Sequence, residues 1–82
     1  MNDYIVVESV EQLKELSGGE GQEFSICFGI ARSTKHIRWD DGKGKFEILA
    51  YIDDSEYELS PEEMEKSNIG EAIQYKKLIL FK

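Results

Sequence analysis

The sequence predicts an α+β domain, in which two to three short helices pack on a curled, mostly antiparallel sheet of four to five strands. Three observations predict this fold. Several segments alternate apolar and polar residues, as half-buried strands do. Other segments carry apolar residues at helical spacing after a capping serine, and an Asp- and Gly-rich turn joins two strands as a hairpin. Residues 1–82 are expected to form a single domain, since two cores need a longer chain.

The N-terminal quarter of the chain predicts one helix. Residues 4–7 are apolar and mostly β-branched, and they form either a first strand or a segment that leads into the helix. Ser9 and Gln12 have the spacing of a capping box. Gly18 and Gly19 are expected to end the helix. Its buried face is predicted to contain Val10, Leu13 and Leu16.

The middle of the chain predicts three strands. Residues 24–28 and 36–39 alternate apolar with polar side chains, and residues 29–35 between them are interpreted as a polar connection. Residues 40–44 favour a tight hairpin turn, because glycine adopts the positive φ angles that such turns require. Residues 46–52 are expected to return as the third strand.

The acidic part and the C-terminus of the chain predict two further strands. Residues 53–55 are short polar residues that favour a turn. Residues 56–59 alternate glutamate with Tyr57 and Leu59, which predicts a short strand. Residues 77–82 predict a last strand with apolar side chains on both of its faces.

Two short helices are expected between these last two strands. Ser60 is the predicted N-cap of the first one, with Pro61 at its first position and Glu63 completing a capping box. This helix is expected to end near residue 67. Asn68 is the predicted cap of the second helix, whose buried face is expected to contain Ile69, Ala72 and Ile73.

The chain is acidic, with 10 basic and 17 acidic side chains and a net charge of −7. This balance disfavours direct binding to nucleic acid or to an anionic membrane. No apolar stretch reaches the roughly 18–20 residues that span a bilayer, and the first residues lack the basic region of a signal peptide. One cysteine allows no disulfide within the chain. These features predict a cytoplasmic protein.

The sequence contains few groups for catalysis. Cys27 and His36 on adjacent strands are one candidate nucleophile and base, although the apolar residues around Cys27 favour a structural cysteine. No paired cysteines or clustered histidines indicate zinc, and the acids after residue 52 do not have the spacing of a calcium-binding EF-hand loop. We therefore expect a protein that is not an enzyme and binds no metal and no cofactor.

The polar connection is the first candidate contact site. It contains Arg32, Ser33, Thr34 and Lys35, and backbone amides, hydroxyls and basic side chains in a loop bind phosphate or carboxylate groups. The order of residues differs from a Walker loop. The segment is either a contact for an anion or a partner, or an ordinary connection whose bases pair with nearby acids.

The acidic stretch is the second candidate. Residues 53–65 contain seven acids and no base. One interpretation is a solvated face. The other is an inhibitor that mimics nucleic acid, because alternate residues of a strand lie about 6–7 Å apart, close to the phosphate repeat. The candidate acidic surface consists of Asp53, Asp54, Glu56, Glu58, Glu62 and Glu63.

A second apolar face of the sheet is the third candidate. If the helices cover only one face of the sheet, apolar residues on the other face form an interface with a partner protein or a homodimer. In the alternative arrangement the N-terminal helix covers this face and the later helices cover the opposite one. The residues concerned are Cys27, Leu49, Tyr51, Ile79 and Phe81.

A series of short motifs extends over residues 24–76. The motifs are Gly29-x-x-Arg32-Ser33-Thr34-Lys35, Phe46-x-Ile48, Ile52-Asp53-Asp54-Ser55-Glu56, Leu59-Ser60-x-Glu62-Glu63 and Asn68-Ile69-Gly70-Glu71-Ala72-Ile73. In this combination the chain resembles small uncharacterised proteins encoded by bacteriophages and prophages of Gram-positive bacteria. The resemblance implies a phage or prophage origin and a bacterial cytoplasm, and it implies no activity and no site.

The sequence thus favours a small non-enzymatic module that binds a protein partner. Acidic and basic residues are segregated along the chain, and complementary fields increase the rate and specificity of protein association. One alternative is the acidic inhibitor that mimics nucleic acid and counters a host defence. A further alternative is a binder of phosphate or nucleotide through residues 32–35.

Overall fold

The computed structural model describes residues 3–50 and 55–81. Within these residues the α+β class is confirmed, with one open antiparallel sheet and three helices on it. The sheet has six strands, where the sequence predicts four to five. In chain order the elements are β1 (Tyr4–Val6), α1 (Val10–Leu16), β2 (Gln22–Phe28), β3 (Ala31–Asp40), β4 (Lys45–Ala50), β5 (Ser55–Leu59), α2 (Pro61–Lys66), α3 (Asn68–Gln74) and β6 (Leu78–Phe81).

The strand order is β1-β6-β2-β3-β4-β5, and every neighbouring pair is antiparallel. Strands β2 to β5 follow one another as a meander, and β6 returns between β1 and β2. The first segment is a strand because it pairs with β6, with Ile5 opposite Leu80. The backbone N–H of Val7 then donates to the carbonyl of Leu78 at 2.9 Å. This pairing supplies the additional strand.

The prediction of a polar connection over residues 29–35 is wrong. Phe28 lies opposite Ala31, so only Gly29 and Ile30 form the turn, and β3 begins directly after them. Gly29 has a φ of 59°, which fits the first central position of a two-residue turn whose twist matches the flanking strands. The polar side chains that follow are accommodated in a strand because half of them point away from the core.

The capping box predicted at α2 is complete and the one predicted at α1 is half formed, because Gln12 Oε1 accepts from the N–H of Glu8 and not from that of Ser9. The Ser9 hydroxyl accepts from the backbone N–H of Gln12 at 3.1 Å. At α2 the capping box is complete, because Ser60 Oγ accepts from the N–H of Glu63 and the Glu63 carboxylate accepts from the N–H of Ser60. These local contacts fix where the two helices begin.

The start of α3 differs from its prediction. Ser67, and not Asn68, is the N-cap, since its hydroxyl accepts from the backbone N–H of Gly70 at 3.2 Å. The same hydroxyl donates to the carbonyl of Met64 at 2.6 Å, at the end of α2. One serine therefore serves both helix ends, which leaves no linker between α2 and α3.

All three helices lie on the same face of the sheet. Helix α1 contacts β3, α2 contacts β4 and β5, and α3 contacts β2 and β6. Trp39 belongs to this layer, with its ring 4.7 Å from that of Phe46 and the ammonium of Lys14 4.8 Å above it. The alternative with helices on both faces is therefore wrong for the described residues. The main core consists of Val7, Leu13, Phe24, Ile26, Ile37, Phe46, Ile48, Met64, Ile69, Ala72, Ile73, Leu78 and Leu80.

In the part of the chain that the structure describes, the helices are six or seven residues long, and none is long and apolar enough to cross a membrane. Their stability depends on packing, since isolated helices shorter than about 12 residues are marginal in water. The three helices are therefore held in place by the apolar side chains that pack on the sheet.

Replacing Gly70 with alanine should destabilise the fold. A Cβ at this position would lie 2.3 Å from the carbonyl oxygen of Met64 and 2.4 Å from that of Glu65, so α3 would have to move away from α2. Alanine normally favours a helix over glycine by about 1 kcal/mol. Here we expect Gly70→Ala to lower the free energy of unfolding by about 1–3 kcal/mol, measured by urea denaturation.

The matched control for this substitution is Gly18→Ala. A Cβ there would meet only the carbonyl of Lys14 at 3.8 Å, an ordinary contact. We expect the free energy of unfolding to stay within about 0.5 kcal/mol of the original protein. If Gly70→Ala behaved like this control, the close packing of α2 on α3 would not contribute to stability.

Candidate functional site

The candidate site is the face of the sheet that the helices leave open, which we call the uncovered face. Alternate residues of all six strands point to it. Its first half, the apolar section, lies on β1, β6 and β2 and contains Tyr4, Val6, Cys27, Ile79 and Phe81. Two polar residues of β2 point to the same face, Ser25 opposite Ile79 and Glu23 beside Phe81. Its second half, the charged section, lies on β3, β4 and β5 and contains His36, Arg38, Asp40, Lys45, Glu47, Leu49, Glu56 and Glu58.

Phe81 and Tyr4 are the most prominent side chains of the apolar section. They lie opposite each other on β6 and β1, with ring centroids 6.3 Å apart, and are 45% and 59% exposed. The guanidinium carbon of Arg32 lies 4.8 Å from the centroid of the Phe81 ring. Its nitrogens also donate to Ser25 Oγ at 3.2 and 3.3 Å. The exposed ring is thus held in place by a cation–π contact.

Arg38 organises the charged section. It donates a hydrogen bond to the carboxylate of Glu47 on β4, and its Nη1 lies 3.5 Å from Asp40 Oδ2. The hydrogen bond with Glu47 is the main reason why the pKa of Arg38 is raised. Arg38 Nε also donates to the carbonyl of Gly19 at 2.8 Å. One side chain therefore connects two strands and the loop after α1.

Lys43, in the turn between β3 and β4, extends the ion pairs to the edge of the sheet. Its Nζ lies 3.0 Å from Glu58 on β5 and 3.7 Å from Glu47 on β4. The hydrogen bond with Glu58 is the main reason why the pKa of Lys43 is raised. Such exposed pairs add little stability individually, but together they define the shape of a shallow groove. The groove has a volume of about 390 Å³ and is lined by His36, Arg38, Glu47, Ile48, Leu49, Glu56, Tyr57 and Glu58.

The four residues predicted as an anion contact do not converge. Because they belong to a strand, Arg32 and Thr34 point to the uncovered face, while Ser33 and Lys35 point to the side of the helices. The latter two line a separate groove of about 260 Å³ beside α3. The loop of amides and hydroxyls that the sequence suggested is therefore absent from residues 29–35.

The acids of residues 53–65 lie in separate surroundings. Glu56 and Glu58 point to the uncovered face of β5, where Lys43 pairs with Glu58. Glu62 and Glu63 are in the first turn of α2, and Glu63 completes the capping box. The four described acids of the predicted surface, Glu56, Glu58, Glu62 and Glu63, thus do not form one row. Two acids of the predicted surface lie outside the described residues, Asp53 and Asp54.

The predicted apolar interface is partly assembled. Phe81 is exposed and Ile79 is half-buried on the apolar section, as their alternation with the core residues predicts. Cys27 is half-buried on the same section, whereas Leu49 lies among charged neighbours on β4. Tyr51 lies outside the described residues.

The candidate pair of Cys27 and His36 is not brought together. Cys27 lies opposite Arg32, while His36 lies opposite Glu23, four residues further along β2. At about 3.3 Å per residue the two are about 13 Å apart along the strands. Within residues 3–50 and 55–81, no group of three or more His, Cys, Asp or Glu side chains has a geometry that could hold a metal ion.

Sequence reasoning missed three contributors to the uncovered face. Tyr4 and Val6 join it only because β1 pairs with β6, at the other end of the chain. Arg32 joins it because the hairpin turn is two residues long. A two-residue turn that begins with glycine is the signal that would have identified β3 as the continuation of the hairpin.

Comparisons with family models, with curated proteins and with solved structures find no match to this chain. The uncovered face is a fixed surface with an exposed aromatic pair at one side and a network of ion pairs at the other.

Two carboxylates should make the protein sensitive to acid. Backbone N–H groups of Lys43 and Gly42 lower the pKa of Asp40, and the N–H of Ser60 lowers that of Glu63. The ordinary values are 3.8 and 4.5. Because the pKa values are lower in the folded state, their stabilising contribution is complete above the ordinary values and is lost as the pH falls through the folded ones.

We expect the Asp40→Asn, Glu63→Gln double variant to lose less free energy of unfolding than the original protein between about pH 5 and the lowest pH at which it stays folded. Urea denaturation at a series of pH values measures this difference. Parallel pH profiles for the two proteins would contradict the role of these carboxylates.

Proposed function

We propose that this chain is a non-enzymatic protein-binding module that contacts its partner through the uncovered face. The observation that carries this proposal is the exposed pair of Tyr4 and Phe81 on a sheet face without covering helices. When one face of an antiparallel sheet is exposed to solvent, that face normally carries polar side chains. Contiguous exposed apolar residues with a polar rim are typical of protein interfaces.

The distribution of charge supports the same proposal. The uncovered face, with Lys43 at its rim, carries four basic and five acidic side chains, so it is close to neutral. The three helices carry six acidic and two basic side chains. Several charges on the uncovered face are paired within it, as Arg38 is with Glu47 and Lys43 with Glu58. The acid excess on the helices keeps the opposite surface soluble and orients an approaching partner.

The non-enzymatic part of the proposal is supported by the separation of the few reactive groups. The candidate nucleophile Cys27 lies beside the Arg32–Phe81 contact, about 13 Å along the strands from His36. Large exposed rings and internally paired charges are suited to contact with a surface and not to the chemistry of a small substrate. A phage or prophage origin and a bacterial cytoplasm remain part of this proposal.

Capture of a partner tests the proposal. A tagged copy of the chain, expressed in a Gram-positive bacterium, should retain one partner protein in stoichiometric amount, identified by mass spectrometry. Phe81→Asp should abolish this retention, because it removes the exposed ring and places a carboxylate among the apolar side chains of the contact. An untagged copy of the same chain counts as a partner in this experiment.

Ile30→Asp is the matched control. It also replaces an exposed apolar residue with aspartate, but Ile30 lies at the tip of the β2–β3 turn, away from the uncovered face. We expect this variant to retain the partner as the original protein does. If the Phe81→Asp variant still retained the partner, or if the Ile30→Asp variant also lost it, the contact would not lie on the uncovered face.

A further inference from the structure

We propose that the partner of the uncovered face is a second copy of this chain, so that two sheets stack face to face in a symmetric dimer. This inference rests on the proposed function, because it uses the same face. Two antiparallel sheets stacked about 10 Å apart form the two-layer core of β-sandwiches. The uncovered face offers one half of such a core.

The position of the acids favours a second copy in spite of the net charge of −7. The helices carry six acidic and two basic side chains, which is the larger part of the acid excess, and the uncovered face is nearly neutral. When two copies stack by their sheets, both helical layers are on the outside, separated by more than about 20 Å of protein. That separation exceeds the Debye length of about 8 Å at physiological salt. Repulsion between the copies is therefore small in this orientation.

The size of the face determines how much of it must take part. Six strands about 4.8 Å apart and about five residues long give a face of roughly 28 by 18 Å. Stacking two such faces completely buries on the order of 1,000 Å², the lower limit for a specific interface. The apolar section alone supplies about half of this area. The dimer must therefore use the charged section as well.

A two-fold axis perpendicular to the strands buries both the apolar section and the charged section. Such an axis places the apolar section of one copy on that of the other, and the charged section on the charged section. Arg38 and Glu47 lie opposite each other on β3 and β4. Arg38 and Lys45 of one copy then lie in the same stacked section as the carboxylates of Asp40, Glu47, Glu56 and Glu58 of the other copy, with Lys43 at its rim. An axis parallel to the strands would instead place Phe81 on charged residues.

Mass measurement over a range of concentrations tests the dimer. Light scattering coupled to size exclusion should give twice the mass of the chain at high micromolar concentration, falling towards the single mass on dilution. Phe81→Asp should weaken the dimer by more than about tenfold. Tyr4→Asp should weaken the dimer to the same extent. Because Tyr4 is more exposed than Phe81, this variant controls for a folding defect caused by Phe81→Asp. Ile30→Asp should leave the dimer unchanged.

Cys27 provides a second readout, because it lies half-buried on the apolar section. The rate at which a thiol reagent modifies it should fall as the concentration of the original protein rises and the dimer covers the thiol. In the Phe81→Asp variant, which is expected to be monomeric, the rate should not depend on concentration. A rate independent of concentration in the original protein would overturn the stacked arrangement.

The outcomes separate this inference from the proposed function. A monomer at all concentrations that still captures a different protein, and loses it on Phe81→Asp, overturns the dimer and leaves the protein-binding module intact. If the protein is a monomer and captures no partner, or captures one equally well with Phe81→Asp, both the dimer and the protein-binding module are overturned. A dimer that survives both Phe81→Asp and Tyr4→Asp, while these variants fold as the original protein does, also overturns the stacked arrangement.

Discussion

The one-sided covering of the sheet is the constraint on which the rest of the structure depends. Three helices about 10 Å in diameter, side by side, match the width of one face of six strands. Ser67 joins α2 directly to α3, so these two helices cannot separate to opposite faces. All large core side chains therefore point to one side of the sheet. The uncovered face therefore takes no part in the main core.

The insertion of β6 between β1 and β2 decides what the uncovered face offers. Leu78 and Leu80 enter the core, so Ile79 and Phe81 must point the other way. An apolar strand inside the sheet thus exposes its side chains next to those of Tyr4 and Val6 on β1. Arg32 covers part of the Phe81 ring with its guanidinium, which limits the exposed area without removing it. This arrangement produces an apolar section beside a charged one.

The ion pairs of the charged section define geometry more than they add stability. Arg38 and Lys43 connect β3, β4 and β5 with the neighbouring loops, although each exposed pair contributes less than about 1 kcal/mol. Side chains that already hold each other lose little conformational freedom when a partner arrives. The helices on the opposite side carry six acidic and two basic side chains. The two surfaces of the protein therefore differ in charge as well as in shape.

The sequence by itself determined the local features: the helix starts at Ser9 and Ser60, the turn at residues 40–44 and the alternation of β2 and β6. Each depends on residues a few positions apart, which a local pattern can specify. Only the tertiary structure decided that residues 4–6 form a strand, that residues 31–35 continue β3, and that the helices share one face. Strand pairing and its register depend on partners distant in the chain, so the separation of Cys27 from His36 and the meeting of Tyr4 with Phe81 could not be predicted from local sequence.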